Sequence, residues 1–214
     1  MYYVTKNTLD KQHYYVVSNW QVTGINEALV ASGYPMYKEL PQIHPTNDFP
    51  HATQKDCKRA ERLATVPCGT GHDCFLKGIL VSFDLTATIK MWVQAERYTH
   101  LYPVSSMSTM HMMTNMDAAF IEYTDREAVD VLSDCVAVYK KQLRKEKHLR
   151  LLYSIPSGLL LTARMTTNYL QLKTIYKQRR NHLLPEWQEF CDWIEKLPYS
   201  YLITGEEEHE VECE

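Results

Sequence analysis

The chain has 214 residues, of which 45% are hydrophobic and 23% charged, with a formal net charge of −3. This composition is ordinary for a globular protein, and the length suffices for one sizeable core. No run approaches the roughly 18 apolar residues that a membrane span needs, and the N-terminus lacks the charged-then-apolar layout of a secretory signal. We therefore predict a cytoplasmic protein with no membrane partner.

The charge is unevenly distributed. The last ten residues carry six glutamates, so leaving them out changes the formal charge from −3 to +3. We predict a single domain over residues 1–204 and an acidic, mobile tail over 205–214. A mildly basic body is compatible with an anionic ligand. Nucleic-acid binding by the basic stretch 140–150 is an alternative, but the acidic tail and the confinement of that charge to one helix argue against it.

The cysteines form no CxxC pair. Cys68, His72 and Cys74 lie close together in the sequence, but no second ligand pair completes a zinc pattern. We therefore predict reduced thiols and no metal.

The first half of the chain mixes short extended stretches with helices. We expect a strand or two and long loops over residues 1–50, a charged helix over 54–64, and a break at 67–71. Residues 80–85 alternate like a half-buried strand. The next helix is predicted from Ala87 to Tyr98, and its core-facing residues would be Ile89, Trp92 and Val93.

The second half is predicted to be mainly helical. Asp125 would cap one long helix over 126–152, and its apolar face would comprise Val131, Leu132, Cys135, Val138 and Tyr139. A break at 156–158 and a short apolar stretch over 159–165 precede a helix that includes Asn168. The last helix would begin at Pro185 and bury Trp187, Phe190 and Ile194. Together these elements predict an α+β fold with helices packed on a small antiparallel sheet.

Asn168 and Arg179 carry the clearest functional signal. They are eleven positions apart, which at about 3.6 residues per turn places them on one helix face, roughly 16 Å apart. An amide and a guanidinium so placed can hold two parts of one large anionic ligand. This spacing favours a nucleotide or dinucleotide site.

A second polar segment begins at Gln94 and Arg97, which are three positions apart and can project from one helix face. The helix end would open into a serine-rich loop, where Ser105 and Ser108 offer donors to phosphate or carbonyl oxygens. A surface helix end followed by an ordinary polar loop is an equally good interpretation of the spacing alone.

These two segments together resemble the flavin-dependent thymidylate synthase (ThyX) family. In that family a histidine precedes an F-T-F-type strand, and a helix containing Gln then leads into an R-H-R-x-x-S-x-N-E-x-S-x-R-Y signature. This chain has His72, then Val81-Ser82-Phe83, then Gln94 and Arg97, at matching distances.

The later part of the family pattern is also present. A proline is followed by Asn twelve residues on and by Arg eleven beyond that, and Pro156, Asn168 and Arg179 keep both intervals. The family's closing A-Q-W-E-I element is echoed, one residue out of step, by residues 186–190. The resemblance spans roughly residues 70–195.

The resemblance implies a homotetramer that converts dUMP to dTMP, or makes a related 5-substituted nucleotide, with FAD, methylenetetrahydrofolate and NADPH. The residues carried over for flavin are His72, Arg97 and Asn168. Those for the pyrimidine deoxynucleotide are Gln94, Ser105, Ser108 and Arg179, of which Arg179 is also the predicted catalytic residue. One form of this hypothesis is a divergent phage-encoded protein located in the host cytoplasm.

The chain also departs from the family pattern. Tyr98 and Thr99 replace the second and third residues of R-H-R, and Leu170 and Thr174 stand where the family has polar flavin contacts. Each lost charged hydrogen bond costs about 1.5–3 kcal/mol. The alternative is therefore a catalytically inactive ThyX-like fold that binds a nucleotide or a protein, so the sequence leaves open whether the chain is an enzyme.

Overall fold

The computed structural model describes residues 16–40, 49–112, 121, 126–142 and 145–205. The predicted helix cap at Asp125 and the acidic tail beyond Gly205 lie outside these residues. Strands in the described part are β1 (Val17–Thr23), β2 (Leu80–Thr88), β3 (Tyr102–Ser106) and β4 (Leu160–Asn168). Helices are α1 (Ile25–Ala31), α2 (Gln54–Ala64), α3 (Ile89–Ala95), α4 (Thr109–Met112), α5 (Arg126–Gln142), α6 (Lys145–Tyr153), α7 (Tyr169–Arg179), α8 (Pro185–Ile194) and α9 (Tyr201–Thr204).

The strands form one antiparallel sheet in the order β1-β2-β4-β3. Alternate residues of β2 are buried, beginning with Val81 and Phe83, as expected when one face of a sheet packs on the core. On the other face the hydroxyls of Thr86 and Thr162 lie 2.8 Å apart. The predicted α+β class with a small antiparallel sheet is confirmed.

The chain divides into two compact units. The first comprises the described residues of Met1–Ser18, Asp84–Arg97 and Pro103–Arg164. The second comprises those of Asn19–Phe83, Tyr98–Tyr102 and Met165–Glu214. The single domain expected over 1–204 stays a prediction.

The core of the first unit lies around α5 and α6. Leu132 and Val136 of α5 are one turn apart and buried, and they cluster with Leu151 of α6 and with Ile121 and Leu159. The predicted helix over 126–152 is helical wherever it is described, in α5 (Arg126–Gln142) and α6 (Lys145–Tyr153), and residues 143–144 lie outside the described part of the structure.

The apolar face predicted for α5 is partly wrong. Val131 and Val138 are 63% and 45% exposed, whereas Leu132 is 3% exposed. A step of one residue turns the helix by about 100°, so Val131 cannot face the core that Leu132 faces. The side chains of Cys135 and Tyr139 lie outside the described part of the structure.

The core of the second unit is aromatic. The rings of Phe83 and Trp193 are 4.9 Å apart, those of Phe190 and Trp193 are 5.1 Å apart, and those of Trp187 and Phe190 meet edge to face at 5.7 Å. Offset and edge-to-face rings add to the gain from burial. The predicted last helix is confirmed, since it begins at Pro185 and buries Trp187, Phe190 and Ile194.

The other element predictions differ in outcome. The helix over 54–64 is confirmed, and Thr53 and Asp56 cap it reciprocally.

The strand over 80–85 is confirmed but continues to Thr88, whose side chain then caps α3 at Met91. The helix predicted over 87–98 is consequently shorter, and its buried residues include Met91 and Ala95. Val93 is exposed, so its predicted core position is wrong.

The helices in the described ranges are all too short or too polar to cross a membrane.

Replacing Leu132 by Ala tests the assignment of the buried face of α5. We expect the free energy of unfolding to fall by about 2–5 kcal/mol, because a buried leucine truncated to alanine leaves a cavity. Urea denaturation followed by circular dichroism measures the loss. The matched control is Val131→Ala, which removes methyl groups from the neighbouring exposed position and should change stability by less than about 0.5 kcal/mol. A larger loss for Val131→Ala than for Leu132→Ala would contradict the assignment.

Candidate functional site

Asn168 lies at the junction of β4 and α7. It has extended backbone angles, and its Oδ1 accepts a hydrogen bond of 2.9 Å from the backbone N–H of Gln171. Asn168 is therefore the N-cap of α7, and the prediction that it lies within the helix is wrong. An N-cap of this kind stabilises a helix by about 1 kcal/mol. The bond also fixes the amide orientation, so Nδ2 is the donor that Asn168 can offer to a ligand.

Arg179 lies on the last turn of α7, where its guanidinium is held by aromatic residues. Nε donates a hydrogen bond of 2.7 Å to the hydroxyl of Tyr98. The guanidinium carbon lies 5.0 Å from the ring centroid of Trp187 and 5.7 Å from that of Tyr98. Cation–π contacts of this kind contribute about 0.5–2 kcal/mol each, more when water is excluded. The hydrogen bond to Tyr98 and the two rings therefore help to hold the guanidinium in position.

The Tyr98 hydroxyl links two neighbouring residues of α7. It accepts from Arg179 and donates to Oε1 of Gln178 at 3.1 Å. The same segment is tied to the helix again at His100, whose backbone N–H donates to Oε1 of Gln171 at 3.2 Å. Residues 98–100 are therefore aligned along α7 by side-chain hydrogen bonds.

The next arginine on α7 has a different environment. Arg180 donates to Asp192 at 2.7 Å and lies 3.0 Å from a carboxylate oxygen of Glu195. Burial is the largest single influence on Arg180 and opposes its charge, but the bond to Asp192 and the charges of Glu195 and Asp192 together raise its pKa. Arg180 is thus part of an ion-pair network with α8, while Arg179 packs on aromatic rings.

A buried ion pair positions the segment that contains His72. Nζ of Lys173 lies 2.8 Å from a carboxylate oxygen of Asp73 and 2.8 Å from the carbonyl oxygen of Val66. The Asp73 side chain is 1% exposed and that of Lys173 is 11% exposed. Because Asp73 is anchored on α7, the preceding residue His72 is held at the surface beside it.

His72 lines a cavity of about 770 Å³ in the second unit. Arg59, which also lines it, is fixed by hydrogen bonds of 3.0 Å to the hydroxyl of Ser32 and 3.2 Å to the carbonyl oxygen of Leu29. Other lining residues include Tyr34, Met36, Arg62 and Phe75. A cavity with cationic and aromatic walls suits a planar or anionic group.

The predicted residues of the first unit lie near the surface. Gln94 is half-buried on α3, and Arg97 is exposed shortly after the helix ends. Ser105 belongs to β3 and Ser108 precedes α4. The serine-rich loop predicted there is therefore partly wrong, because an edge strand occupies residues 102–106. Both serines are exposed, as a donor to a ligand must be.

The structure places the predicted residues in two groups. His72, Asn168 and Arg179 lie in the second unit, whereas Gln94, Arg97, Ser105 and Ser108 lie in the first. Their roles toward flavin and nucleotide stay predictions. Throughout the described ranges, no group of three or more His, Cys, Asp and Glu side chains is placed to hold a metal ion.

The sequence did not reveal the residues that support the site. In the sequence, Tyr98 is noticeable only as a departure from the family pattern, but in the structure its hydroxyl binds Arg179. Lys173 and Asp73 are separated by 100 positions, so no local pattern connects them. A lysine within the apolar face of a short helix was the one available signal, since buried lysines are almost always paired.

His182 follows α7 and is influenced by Arg179. Burial lowers the pKa of His182 from its usual 6.5, and the positive charge of Arg179 lowers it further, while Glu186 opposes both. Nδ1 of His182 accepts a hydrogen bond of 3.1 Å from the backbone N–H of Leu184. Protonation at Nδ1 would remove this acceptor, so the folded chain favours the neutral ring.

Replacing Lys173 by Met tests the buried ion pair. We expect the free energy of unfolding to fall by about 3–5 kcal/mol, because the Asp73 carboxylate is left buried without its cation. Chemical denaturation measures the loss. Lys177→Met, at an exposed position of the same helix, is the matched control and should cost less than about 0.5 kcal/mol. The double variant Asp73→Asn/Lys173→Met should recover part of the loss, and equal losses in the two lysine variants would refute the role of the pair.

Replacing His182 by Gln tests the pH dependence of stability. Because the pKa of His182 is lower in the folded than in the unfolded chain, the unfolded chain takes up a proton at this residue at a higher pH than the folded chain does. The contribution of His182 to stability is thus present above pH 6.5, and it is lost as the pH falls through the pKa of His182 in the folded chain. We expect thermal denaturation to show a smaller loss of stability below 6.5 in His182→Gln than in the parent. Identical pH profiles for the two proteins would contradict this.

Comparison with solved structures identifies similar folds. One is the flavin-dependent thymidylate synthase ThyX of Helicobacter pylori complexed with FAD and dUMP, with a TM-score of 0.68 and 16% sequence identity over 86% of this chain and 96% of that chain. A second structure of the Helicobacter pylori enzyme with FAD and dUMP has the same score and identity over 89% of this chain and 97% of that chain.

Neither the protein-family models nor the curated proteins match the chain. At 16% identity, the structural similarity establishes the fold. The expected ThyX-like fold is therefore confirmed, and it covers most of the chain.

Proposed function

We propose that the chain is a flavin-dependent enzyme of the thymidylate synthase type that acts on a pyrimidine deoxynucleotide, converting dUMP to dTMP or to a related 5-substituted product. One observation carries the proposal. The Arg179 guanidinium is held by the Tyr98 hydroxyl and the Trp187 ring in a fold whose similar solved structures contain FAD and dUMP.

Arg179 is the proposed catalytic residue. A guanidinium that is already oriented can bind and polarise a pyrimidine carbonyl oxygen, and its planar donors suit this better than an ammonium. The spacing from Pro156 through Asn168 to Arg179 supports the same role by resemblance. Gln94, Ser105 and Ser108 are proposed to donate to the nucleotide, and their exposed or half-buried positions on α3, β3 and before α4 are compatible with this.

The donor set proposed for flavin fits that cofactor. His72 offers an exposed imidazole, Arg97 an exposed guanidinium, and Asn168 an amide whose Nδ2 is oriented by the cap. These groups donate to the carbonyl and phosphate oxygens that FAD carries. Bound flavin would supply hydride chemistry, and the chain would supply orientation and field. Methylenetetrahydrofolate as carbon donor, NADPH as reductant, a homotetramer, a cytoplasmic location and phage origin belong to the same proposal.

Thr174 stands where the resembling family has a polar side chain that contacts flavin, and the Thr174 hydroxyl is a poor substitute for that contact. The Thr174 hydroxyl donates to the carbonyl oxygen of Leu170 at 3.2 Å, within its own helix. A hydroxyl bonded in this way replaces an amide poorly as a ligand donor. We therefore expect weaker flavin binding than a complete set of family residues would give, and stronger dependence on His72, Arg97 and Asn168.

Binding of dUMP to the Arg179→Ala variant tests the proposed substrate site. We expect the dissociation constant to rise at least about tenfold, because a charged hydrogen bond is lost. Calorimetry on the full chain with added FAD measures it. The matched control is Arg180→Ala. It removes the same charge at the next residue, whose side chain is already bound by Asp192 and Glu195. That variant should stay within about twofold of the parent.

The flavin is tested separately by the absorption spectrum of the purified protein, before and after addition of FAD. No bound flavin and no uptake would refute the flavoenzyme. Binding of dUMP without turnover would favour the catalytically inactive alternative. Equal affinities in the two arginine variants would remove Arg179 from the site.

A further inference from the structure

We propose that Tyr98 is a positioning residue, whose hydroxyl fixes the guanidinium of Arg179 in the orientation that receives the nucleotide. This inference rests on the proposed function. It also assigns a role to a position at which the chain departs from the resembling family, where the signature has histidine.

The geometry of the hydroxyl carries the inference. It receives Nε–H of Arg179 at 2.7 Å and donates its own proton to Gln178 at 3.1 Å. Because Gln178 accepts that proton, the oxygen lone pairs of Tyr98 are directed toward the arginine. Tyr98 is itself immobilised, since it is only 7% exposed and meets Trp187 edge to face at 5.8 Å. A rigid acceptor thus sets one edge of the guanidinium.

This arrangement also determines which atoms meet the ligand. A guanidinium can be approached along the edge that includes Nε or at its two terminal nitrogens. Nε donates to Tyr98, so it is not the nitrogen that we propose for a carbonyl or phosphate oxygen of the ligand. The ring of Trp187, 5.0 Å from the guanidinium carbon, restricts rotation about the last bonds of the side chain. Together the two contacts favour one orientation of Arg179 before any ligand arrives.

A tyrosine suits this task because it is neutral. A carboxylate at the same position would hold the arginine more strongly, but it would also compete with an anionic ligand for the positive charge. The hydroxyl binds Nε and adds no negative charge beside the guanidinium. Phenylalanine would keep the ring packing on Trp187 and lose the hydroxyl, with its bonds to Arg179 and to Gln178.

The test compares Tyr98→Phe in two backgrounds. In the parent chain we expect Tyr98→Phe to raise the dissociation constant for dUMP about tenfold. In Arg179→Lys, which keeps the charge but has no Nε–H donor, the same substitution should change it by less than about twofold. Calorimetry measures all four affinities. Equal losses in both backgrounds would show that Tyr98 acts only on the general packing of the unit, and would overturn the inference.

A matched control separates positioning from stability. Tyr176→Phe removes a hydroxyl that bonds to Glu195 at 2.7 Å from the same helix. It should lower the thermal midpoint by an amount similar to Tyr98→Phe, while leaving dUMP affinity within about twofold of the parent. A tenfold weaker affinity in Tyr176→Phe would likewise overturn the inference.

A measurement made without ligand tests the positioning role of Tyr98 separately from the proposed function. The side-chain Nε–H signal of Arg179 in nitrogen–proton NMR is assigned by its loss in Arg179→Lys. Its exchange with water should be slow in the parent and at least about tenfold faster in Tyr98→Phe. If the parent binds no dUMP, the proposed function fails and the nucleotide role of Tyr98 fails with it. Unchanged exchange in Tyr98→Phe overturns the positioning role, whatever the chain binds.

Discussion

The second unit depends on one buried ion pair. Lys173 is on a helix whose neighbouring residues Leu172 and Ile175 are fully buried, and its own side chain is largely buried with them. Asp73 and the carbonyl oxygen of Val66 supply the charge and the hydrogen bonds that make burial tolerable. The pair fixes where the segment around residue 72 lies along α7. Without it, the segment that carries His72 would lose this tie to α7.

The helix α7 organises its surroundings through polar side chains at successive positions. Gln171 receives the backbone of His100, Lys173 holds Asp73, and Gln178 and Arg179 share the hydroxyl of Tyr98. An apolar helix face would pack against many neighbours equally well, whereas paired polar groups accept few arrangements. This explains why a helix with weak amphipathic character is nevertheless well placed in the unit.

Local signals predicted local structure and failed where partners are distant. The capping pair Thr53–Asp56 and the proline that opens α8 lie within one turn of what they determine, so α2 and α8 were predictable. Strand β4 ends at Asn168, a residue type that favours helix N-caps, whereas the eleven-residue spacing to Arg179 predicted a helix through Asn168. Arg179 lies on the last turn of α7. Its partner Tyr98 is 81 positions away, and only the folded chain brings the two together.

The held guanidinium has a consequence for the thermodynamics of binding. An arginine side chain carries about 2 kcal/mol of rotamer entropy, and a mobile arginine loses part of it when a ligand arrives. Here much of that loss has already occurred during folding, through the Tyr98 hydroxyl and the Trp187 ring. A ligand that binds at Arg179, as proposed, would therefore meet an ordered side chain, and the entropic penalty of its binding would be correspondingly smaller.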